Sequence, residues 1–179
     1  MRARSRASPA DTTTSPLRED ACIASFLSRT RSLQTPIDKD TTMNEKNTRD
    51  IQLSVELDAS PEEVFRAVTV GTEIAKWLAP EARVTAPEGG KKGSIWISWG
   101  EGMSAEHEIE IFDAPKRMRH PSGQNGETKA PLYADWSIEA REGGKTTLRL
   151  VHSGFSASAD WDDEYEAHAR GWRVMLQNL

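Results

Sequence analysis

The sequence predicts an α+β fold, and three patterns along its 179 residues support this assignment. Apolar residues alternate with polar ones from Ile51 onward, which is the period of a strand with one buried face. Several later segments show the same period of two and are separated by turns that contain glycine and proline. Residues 160–179 instead repeat every three to four positions, as in an amphipathic helix. We therefore expect an antiparallel sheet whose apolar face is covered by one long C-terminal helix.

The first strand, from Ile51 to Asp58, leads into a strong helix-start signal. Ser60 and Glu63 have the spacing of a capping box, and Pro61 suits the first helical position. The helix is expected to end near Gly71, and a second short helix is predicted over residues 73–78. The first helix should bury three apolar side chains, Val64, Phe65 and Val68.

Five segments beyond the two helices are predicted to be strands. They are residues 94–99, 105–111, 116–120, 132–138 and 148–152. In the segment 105–111, His107, Ile109 and Ile111 share the inward face, and the opposite face is acidic and exposed to solvent. Residues 121–129 have the composition of a mobile loop, and His120 beside them is predicted to be solvated. The basic segment around Arg117 is interpreted as an edge strand whose charges prevent it from pairing with another sheet edge.

The predicted C-terminal helix carries a continuous apolar stripe. Its members are Trp161, Tyr165, His168, Trp172, Met175, Leu176 and Leu179. Asp160 is the expected N-cap, and the acidic residues that follow it complement the positive end of the helix dipole. We interpret this acidic cluster as structural and not as a pair of catalytic carboxylates.

Residues 1–42 differ in composition from the rest of the chain. They contain seven basic and five acidic residues, many Ser and Thr, and none of the six tryptophans. Such a segment buries too little apolar surface to offset the entropy of ordering, so it is predicted to be disordered. Its acidic residues argue against a transit peptide, and translation from Met43 is an alternative interpretation. The expected folded domain spans residues 50–179.

Charge and cysteine usage exclude several classes of function. The chain carries a formal net charge of −5, and the 137 residues after residue 42 contain 16 basic and 23 acidic side chains. This acidity disfavours a nucleic-acid partner. The single cysteine, Cys22, fits a cytoplasmic location. No segment has the length and hydropathy of a membrane span or a signal peptide.

Three stretches of the chain resemble a known superfamily. Residues 55–65 (VELDASPEEVF) are similar to the opening of START-like (SRPBCC) domains. Residues 147–155 (TLRLVHSGF) and the Lys76-Trp77-Leu78 step resemble the branch named for the activator of heat-shock-protein-90 ATPase (its C-terminal domain). The resemblance covers about residues 50–179 and implies a helix-grip fold with a cavity between sheet and helix. It further implies binding of hydrophobic small molecules, co-chaperone work or, in some branches, action on polyketides.

If the apolar face of the sheet looks inward, aromatic residues and histidines from the sheet and the helix face one another. Aromatic walls with a few polar groups are typical of small-molecule cavities. The same residues also fit an ordinary filled core, and periodicity does not separate the two interpretations. The candidate ligand-binding residues are Trp77, Trp99, His107, Trp136, His152, Phe155, His168, Trp172 and Met175.

The sequence leaves three functions open. The leading hypothesis is a non-enzymatic module that holds a small hydrophobic or aromatic ligand. The second is a chaperone-linked interaction protein, and the third is a cyclase- or hydrolase-like enzyme with His107 as general acid or base. No metal-binding spacing, nucleophile elbow or phosphate loop is visible, so neither a metal nor a cofactor is expected. The expected assembly is a monomer or a homodimer.

Overall fold

The computed structural model describes residues 47–179, in which two antiparallel sheets curve around the C-terminal helix. The strands are β1 (Thr48–Leu57), β2 (Glu81–Thr85), β3 (Ser94–Ser98), β4 (Ser104–Glu108), β5 (Ile111–Asp113), β6 (Arg117–Gln124), β7 (Pro131–Ala140) and β8 (Thr146–Ser156). The helices are α1 (Pro61–Thr69), α2 (Gly71–Ile74) and α3 (Asp162–Gln177). This arrangement confirms the predicted α+β helix-grip fold. The predicted disordered extension over residues 1–42 and the alternative start at Met43 lie outside the described residues.

The larger sheet has the strand order β1-β8-β7-β6-β5, and the smaller one has the order β2-β3-β4. Every pairing is antiparallel. The inward faces of the central strands β7 and β8 are fully buried, as their period of two predicts. α3 covers this face, with Leu176 buried in the main core and Ala169 in a smaller cluster beside it. The inner face and α3 together enclose the candidate site.

Helix α1 begins as the sequence predicts. The Ser60 side chain accepts a hydrogen bond from the Glu63 backbone N–H (3.3 Å), and Glu63 Oε2 accepts one from the Ser60 N–H (2.9 Å). These two bonds satisfy backbone groups that the helix itself leaves unpaired. α2 is shorter than predicted: it begins at Gly71 and ends at Ile74, four residues before the predicted end. The Trp77 indole N–H then donates to the Ala67 carbonyl (2.9 Å), which holds the following turn against α1.

The predicted single strand over residues 105–111 is wrong, because the chain changes sheets inside it. The Ile109 N–H donates to the Gly93 carbonyl, whereas the next N–H, of Glu110, donates to the Arg119 carbonyl. β4 therefore belongs to the small sheet and β5 to the large one. The change also shifts the alternation by one residue: Phe112 pairs with buried Met118 and packs against the core, so Ile111 does not.

The prediction for the segment after His120 is also wrong. β6 continues to Gln124, so the first four residues of the predicted loop belong to a strand. His120 is only 4% exposed, instead of solvated, because it faces the core two residues after Met118. Nor is β6 an edge strand, since it lies between β7 and β5. Its Arg117 instead forms an ion pair with Asp135 on β7 (2.6 Å).

The start of α3 differs slightly from the prediction. Asp160 lies in a 3-10 turn at Ala159–Trp161, and Trp161 is the N-cap residue without a side-chain cap bond. Asp162 occupies the first helical turn and forms an ion pair with Arg49 on β1 (2.6 Å). Negative charge in this turn complements the helix dipole, as expected. The ion pair also joins the beginning of α3 to the edge of the large sheet.

Candidate functional site

A cavity of about 680 Å³ lies between α3, the inner face of the large sheet and the small sheet. Eight of the nine candidate residues line it. These are Trp77, Trp99, His107, Trp136, His152, His168, Trp172 and Met175. They come from the segment after α2, from the turn between β3 and β4, from β4, from β7 and β8, and from α3. The sheet strands bring them together because their inward positions fall on one curved face.

Phe155 lies outside the cavity lining, in a smaller cluster with Ile51, Leu132 and Ala169. Phe155 lies three residues after His152, where strict alternation would place it on the opposite face. The register shift between Arg49 and Ile51 gives β8 an extra residue, and Phe155 is buried beside His152. The Phe155 ring centroid lies 4.7 Å from that of His152 and 5.2 Å from that of His168. Its ring therefore supports two imidazoles of the wall from outside the cavity.

The cavity has further wall residues that sequence reasoning missed. The most important is His120, and four residues at the end of β6 accompany it. The alternation of His120 with Met118 indicates that both side chains face the core. The neighbouring Pro121 instead favours a loop, and for this reason the sequence does not predict that the strand continues past His120. The remaining missed wall is mainly aliphatic: Val68, Ile74, Leu78, Ile95, Ile97, Ala105, Met118, Pro131, Ala167 and Gly171.

A chain of hydrogen bonds fixes His152 in the wall. The Trp172 indole N–H donates to His152 Nδ1 (2.8 Å), and His152 Nε2 donates to the Ser122 carbonyl (3.0 Å). Nδ1 accepts and Nε2 donates, so the ring is a neutral imidazole in a defined tautomer. Burial lowers the pKa of His152 from 6.5 to about 4, with a smaller contribution from the neighbouring His168 and His120. His152 is thus a positioning element that locks Trp172 in place.

His120 is held in a related way. Its Nδ1 lies 2.7 Å from the Pro121 carbonyl oxygen, which can only accept, so Nδ1 carries the proton. Burial, with a smaller contribution from the neighbouring His107, lowers the pKa of His120 from 6.5 to about 4. The pairing of β6 with β7 shifts register between Pro121 and Gln124. This irregularity leaves the Pro121 and Ser122 carbonyls free to accept hydrogen bonds from the two imidazoles.

Three tryptophans form one rigid section of the wall. The ring centroid of Trp136 lies 5.9 Å from that of Trp77 and 5.5 Å from that of Trp172, both at edge-to-face angles. Edge-to-face contacts of this kind stabilise aromatic clusters beyond the area that they bury. The indole N–H of Trp136 is enclosed and has no hydrogen-bond partner. The cluster therefore presents carbon surface, and not donors, to the cavity.

The described residues offer little that would hold an ion. Within residues 47–179, no three His, Cys, Asp or Glu side chains are placed to bind a metal. The cavity lining contains four histidines, but no Asp, Glu, Lys or Arg of the described chain. Separately, none of the helices over these residues has the length and apolar character needed to cross a membrane.

A sheet that grips its C-terminal helix around an aromatic cavity defines a START-like domain. The family model described as "Activator of Hsp90 ATPase homolog 1-like protein" matches residues 58–179, which is more than half of the chain. The chain belongs to this family. This confirms the family resemblance seen in the opening strand and in the β8 segment. No curated protein sequence matches the chain.

Solved structures with the same fold come from several organisms. CalU16 from Micromonospora echinospora is 24% identical, with 73% of each chain covered and a TM-score of 0.55. The Aha1 dimer from Colwellia psychrerythraea is 19% identical, with 72% of this chain and 90% of that one covered and a TM-score of 0.55. An HSP90 activator from Plasmodium falciparum is 19% identical, with 72% and 91% covered and a TM-score of 0.57. At these identities the likeness extends to the fold alone.

Proposed function

We propose that this protein is a non-enzymatic module that binds a small hydrophobic, aromatic molecule in the cavity under α3. The observation that carries the proposal is a cavity of about 680 Å³ with an aromatic and aliphatic wall. Small-molecule sites in proteins commonly measure about 300–1,000 Å³ and combine an apolar wall with a few placed polar groups. A filled core of the same composition would leave no such space.

The rigidity of the wall supports binding. Trp77 and Trp172 each use their indole N–H in a hydrogen bond with the protein, so neither ring turns freely. Trp136 is clamped between them by edge-to-face contacts. A wall that is already ordered loses little side-chain entropy when a ligand enters, which favours affinity. The proposed ligand contacts are the eight candidate residues of the lining together with His120.

A binding experiment with a matched pair of variants tests the proposal. Gly171 lines the cavity on α3, and a Cβ added there would meet nothing closer than Met175 Cε at 3.9 Å. Gly171→Phe should therefore fill the cavity without disturbing the backbone, whereas Gly171→Ala leaves most of the space open. The fluorescent probe N-phenyl-1-naphthylamine should bind to the wild type and to Gly171→Ala, and at least tenfold more weakly to Gly171→Phe.

Native mass spectrometry of freshly purified protein provides an independent readout. A co-purifying small molecule that is present in wild type and absent from Gly171→Phe would support the proposal. Equal probe binding by the two Gly171 variants, with no co-purifying mass from several expression hosts, would contradict it. Circular dichroism checks that both variants retain the fold.

The enzymatic alternative receives less support from the geometry. His107 lines the cavity and is half-buried, and burial lowers its pKa. A general acid or base is normally oriented by a second group within hydrogen-bond reach. Among residues 47–179, no side-chain hydrogen bond orients His107. A cyclase- or hydrolase-like activity therefore has less support than ligand binding without catalysis.

A chaperone-linked role is the second candidate, and an exposed apolar turn favours it. Trp99 and Met103 are 43% and 61% exposed, and the Trp99 N–H donates to the Met103 carbonyl across the β3–β4 turn. Exposed apolar side chains grouped in this way are typical of interaction sites. One solved relative is described as an HSP90 activator. On this hypothesis the partner contacts the exposed β3–β4 turn, of which Trp99 also lines the cavity, and the protein is cytoplasmic.

An ATPase assay tests the chaperone hypothesis. Purified heat-shock protein 90 should hydrolyse ATP faster in the presence of this protein, and Met103→Ser should reduce the stimulation more than Val174→Ser, a similarly exposed apolar position on α3. No stimulation at stoichiometric amounts would count against this role. Light scattering during size-exclusion chromatography decides between the two expected assemblies, a monomer and a homodimer.

A further inference from the structure

The N–H groups of the Trp77, Trp172 and His152 rings in the cavity wall already donate to protein acceptors. The Trp77 and Trp172 indoles donate to the Ala67 carbonyl and to His152 Nδ1, and His152 itself donates to the Ser122 carbonyl. The Trp136 N–H is enclosed away from open space. The buried wall of the cavity therefore offers a ligand few hydrogen-bond donors.

His120 offers the opposite group. Its proton is on Nδ1 and is donated to the Pro121 carbonyl (2.7 Å), so Nε2 carries an unshared electron pair. His120 lines the cavity, although the residue is only 4% exposed. Unlike the Trp136 nitrogen, Nε2 is not enclosed, and no protein hydrogen bond within residues 47–179 uses it. An accessible acceptor in an otherwise apolar wall favours a ligand that brings a hydrogen-bond donor to it.

We propose that the cavity selects neutral aromatic molecules that carry a hydroxyl group, and that His120 Nε2 accepts the hydrogen bond from this hydroxyl. This inference rests on the proposed function and adds the chemical class of the ligand. An aromatic ring would contact the Trp77, Trp136 and Trp172 cluster, while the hydroxyl would face the end of β6. The Ser122 hydroxyl both donates and accepts, so it is compatible with this arrangement.

Charged ligands do not fit the same site. Among the described residues, no Lys, Arg, Asp or Glu contributes to the lining. A carboxylate would be moved out of water without a counter-charge and would meet the lone pair of His120, which repels it. An ammonium group would find no carboxylate partner. Neutral phenols and related aromatic alcohols avoid both costs.

Displacement of N-phenyl-1-naphthylamine compares two ligands that share the naphthalene ring and its oxygen, one with the O–H and one with a methyl group in place of the hydrogen. The first is 2-naphthol, and the second is 2-methoxynaphthalene, which keeps the oxygen but has no O–H. We expect 2-naphthol to displace the probe at a concentration roughly tenfold lower, the effect of one well-placed hydrogen bond. The charged analogue 2-naphthoate should displace the probe least.

Two variants assign the preference to one residue. His120→Phe removes the acceptor and keeps an aromatic ring, so it should abolish the preference for 2-naphthol. His168→Phe is the matched control, because His168 also lines the cavity and its Nδ1 likewise lies near a backbone carbonyl, that of Glu164 (2.9 Å). A preference that persists in His120→Phe, or that is lost only in His168→Phe, overturns the assignment.

Nitrogen-15 NMR of the unsubstituted protein decides the question if a variant fails to fold. On addition of 2-naphthol, the Nε2 signal of His120 should move in the direction expected for a ring nitrogen that accepts a hydrogen bond, while the signals of His152, whose two ring nitrogens are already paired, should stay in place. Probe binding with equal displacement by both naphthalenes overturns the hydroxyl inference alone. No probe binding at all overturns the proposed function, and this inference with it.

Discussion

Acid should destabilise this protein at a pH well above that at which ordinary carboxylates become protonated. His120 and His152 are buried as neutral rings, and burial lowers the pKa of each from 6.5 to about 4. In the unfolded chain both rings take up a proton near pH 6.5, whereas in the folded protein they do not. Between these two values the unfolded state therefore binds more protons, and stability falls as the pH falls.

The size of the effect follows from the pKa difference. Each imidazole lowers the free energy of unfolding by about 1.4 kcal/mol per pH unit within this window. At pH 5 the loss is about 2 kcal/mol for each ring and about 4 kcal/mol for both, relative to pH 7.5. Burial also lowers the pKa of His107, which acts in the same direction. Domains of this size have total stabilities of about 5–15 kcal/mol, so the loss is a large fraction.

Urea unfolding followed by tryptophan fluorescence measures this dependence. The free energy of unfolding should fall between pH 6.5 and pH 5 with an average slope of about 2 kcal/mol per pH unit, from two rings. His120→Phe should lower the slope by about half, whatever its effect on stability at pH 7.5. A flat profile over this range, or an unchanged slope in His120→Phe, would refute the assignment of two buried neutral histidines.

Three substitutions test individual contacts of the fold by the same unfolding assay. Ser60→Ala removes the capping box of α1 and should cost about 1 kcal/mol; a loss below about 0.3 kcal/mol would show that the cap is dispensable. Trp172→Phe leaves His152 Nδ1 without its donor and should cost about 2 kcal/mol or more, whereas Trp99→Phe, at a 43% exposed position, should be nearly neutral. Equal effects of the two would contradict the hydrogen-bond argument. Gly126→Ala would place a Cβ 1.9 Å from Trp161 Cζ3, so a loss of about 1–3 kcal/mol is expected, and unchanged stability would mean that this indole lies elsewhere.

Much of the fold could be predicted from local patterns. The capping box marked the start of α1, and the period of two in β7 and β8 identified their buried faces. The apolar stripe of α3 likewise indicated a helix packed on a sheet. These features are visible in the sequence because each depends on residues only a few positions apart.

The errors all arose where distant residues decide the outcome. Alternation around His107 indicates an apolar face, but it does not show that the chain changes sheets after Ile109. Pro121 favours a loop by its local preference, yet β6 continues past it because β7 pairs with it at Pro121 and again at Gln124. Phe155 is buried in the smaller cluster because a register shift, in a pairing between strands about one hundred residues apart, reverses the face that strict alternation gives it.

The sequence by itself determined the class of fold and the start of α1, and it indicated eight residues that line the cavity. The tertiary structure alone decided the state of the histidines. His120 and His152 each acquire a defined tautomer because the irregular end of β6 presents the Pro121 and Ser122 carbonyls to their rings. A hydrogen bond depends on the position of two atoms in space, and for His152 the two residues are 30 positions apart. No pattern of residue types along the chain specifies that distance.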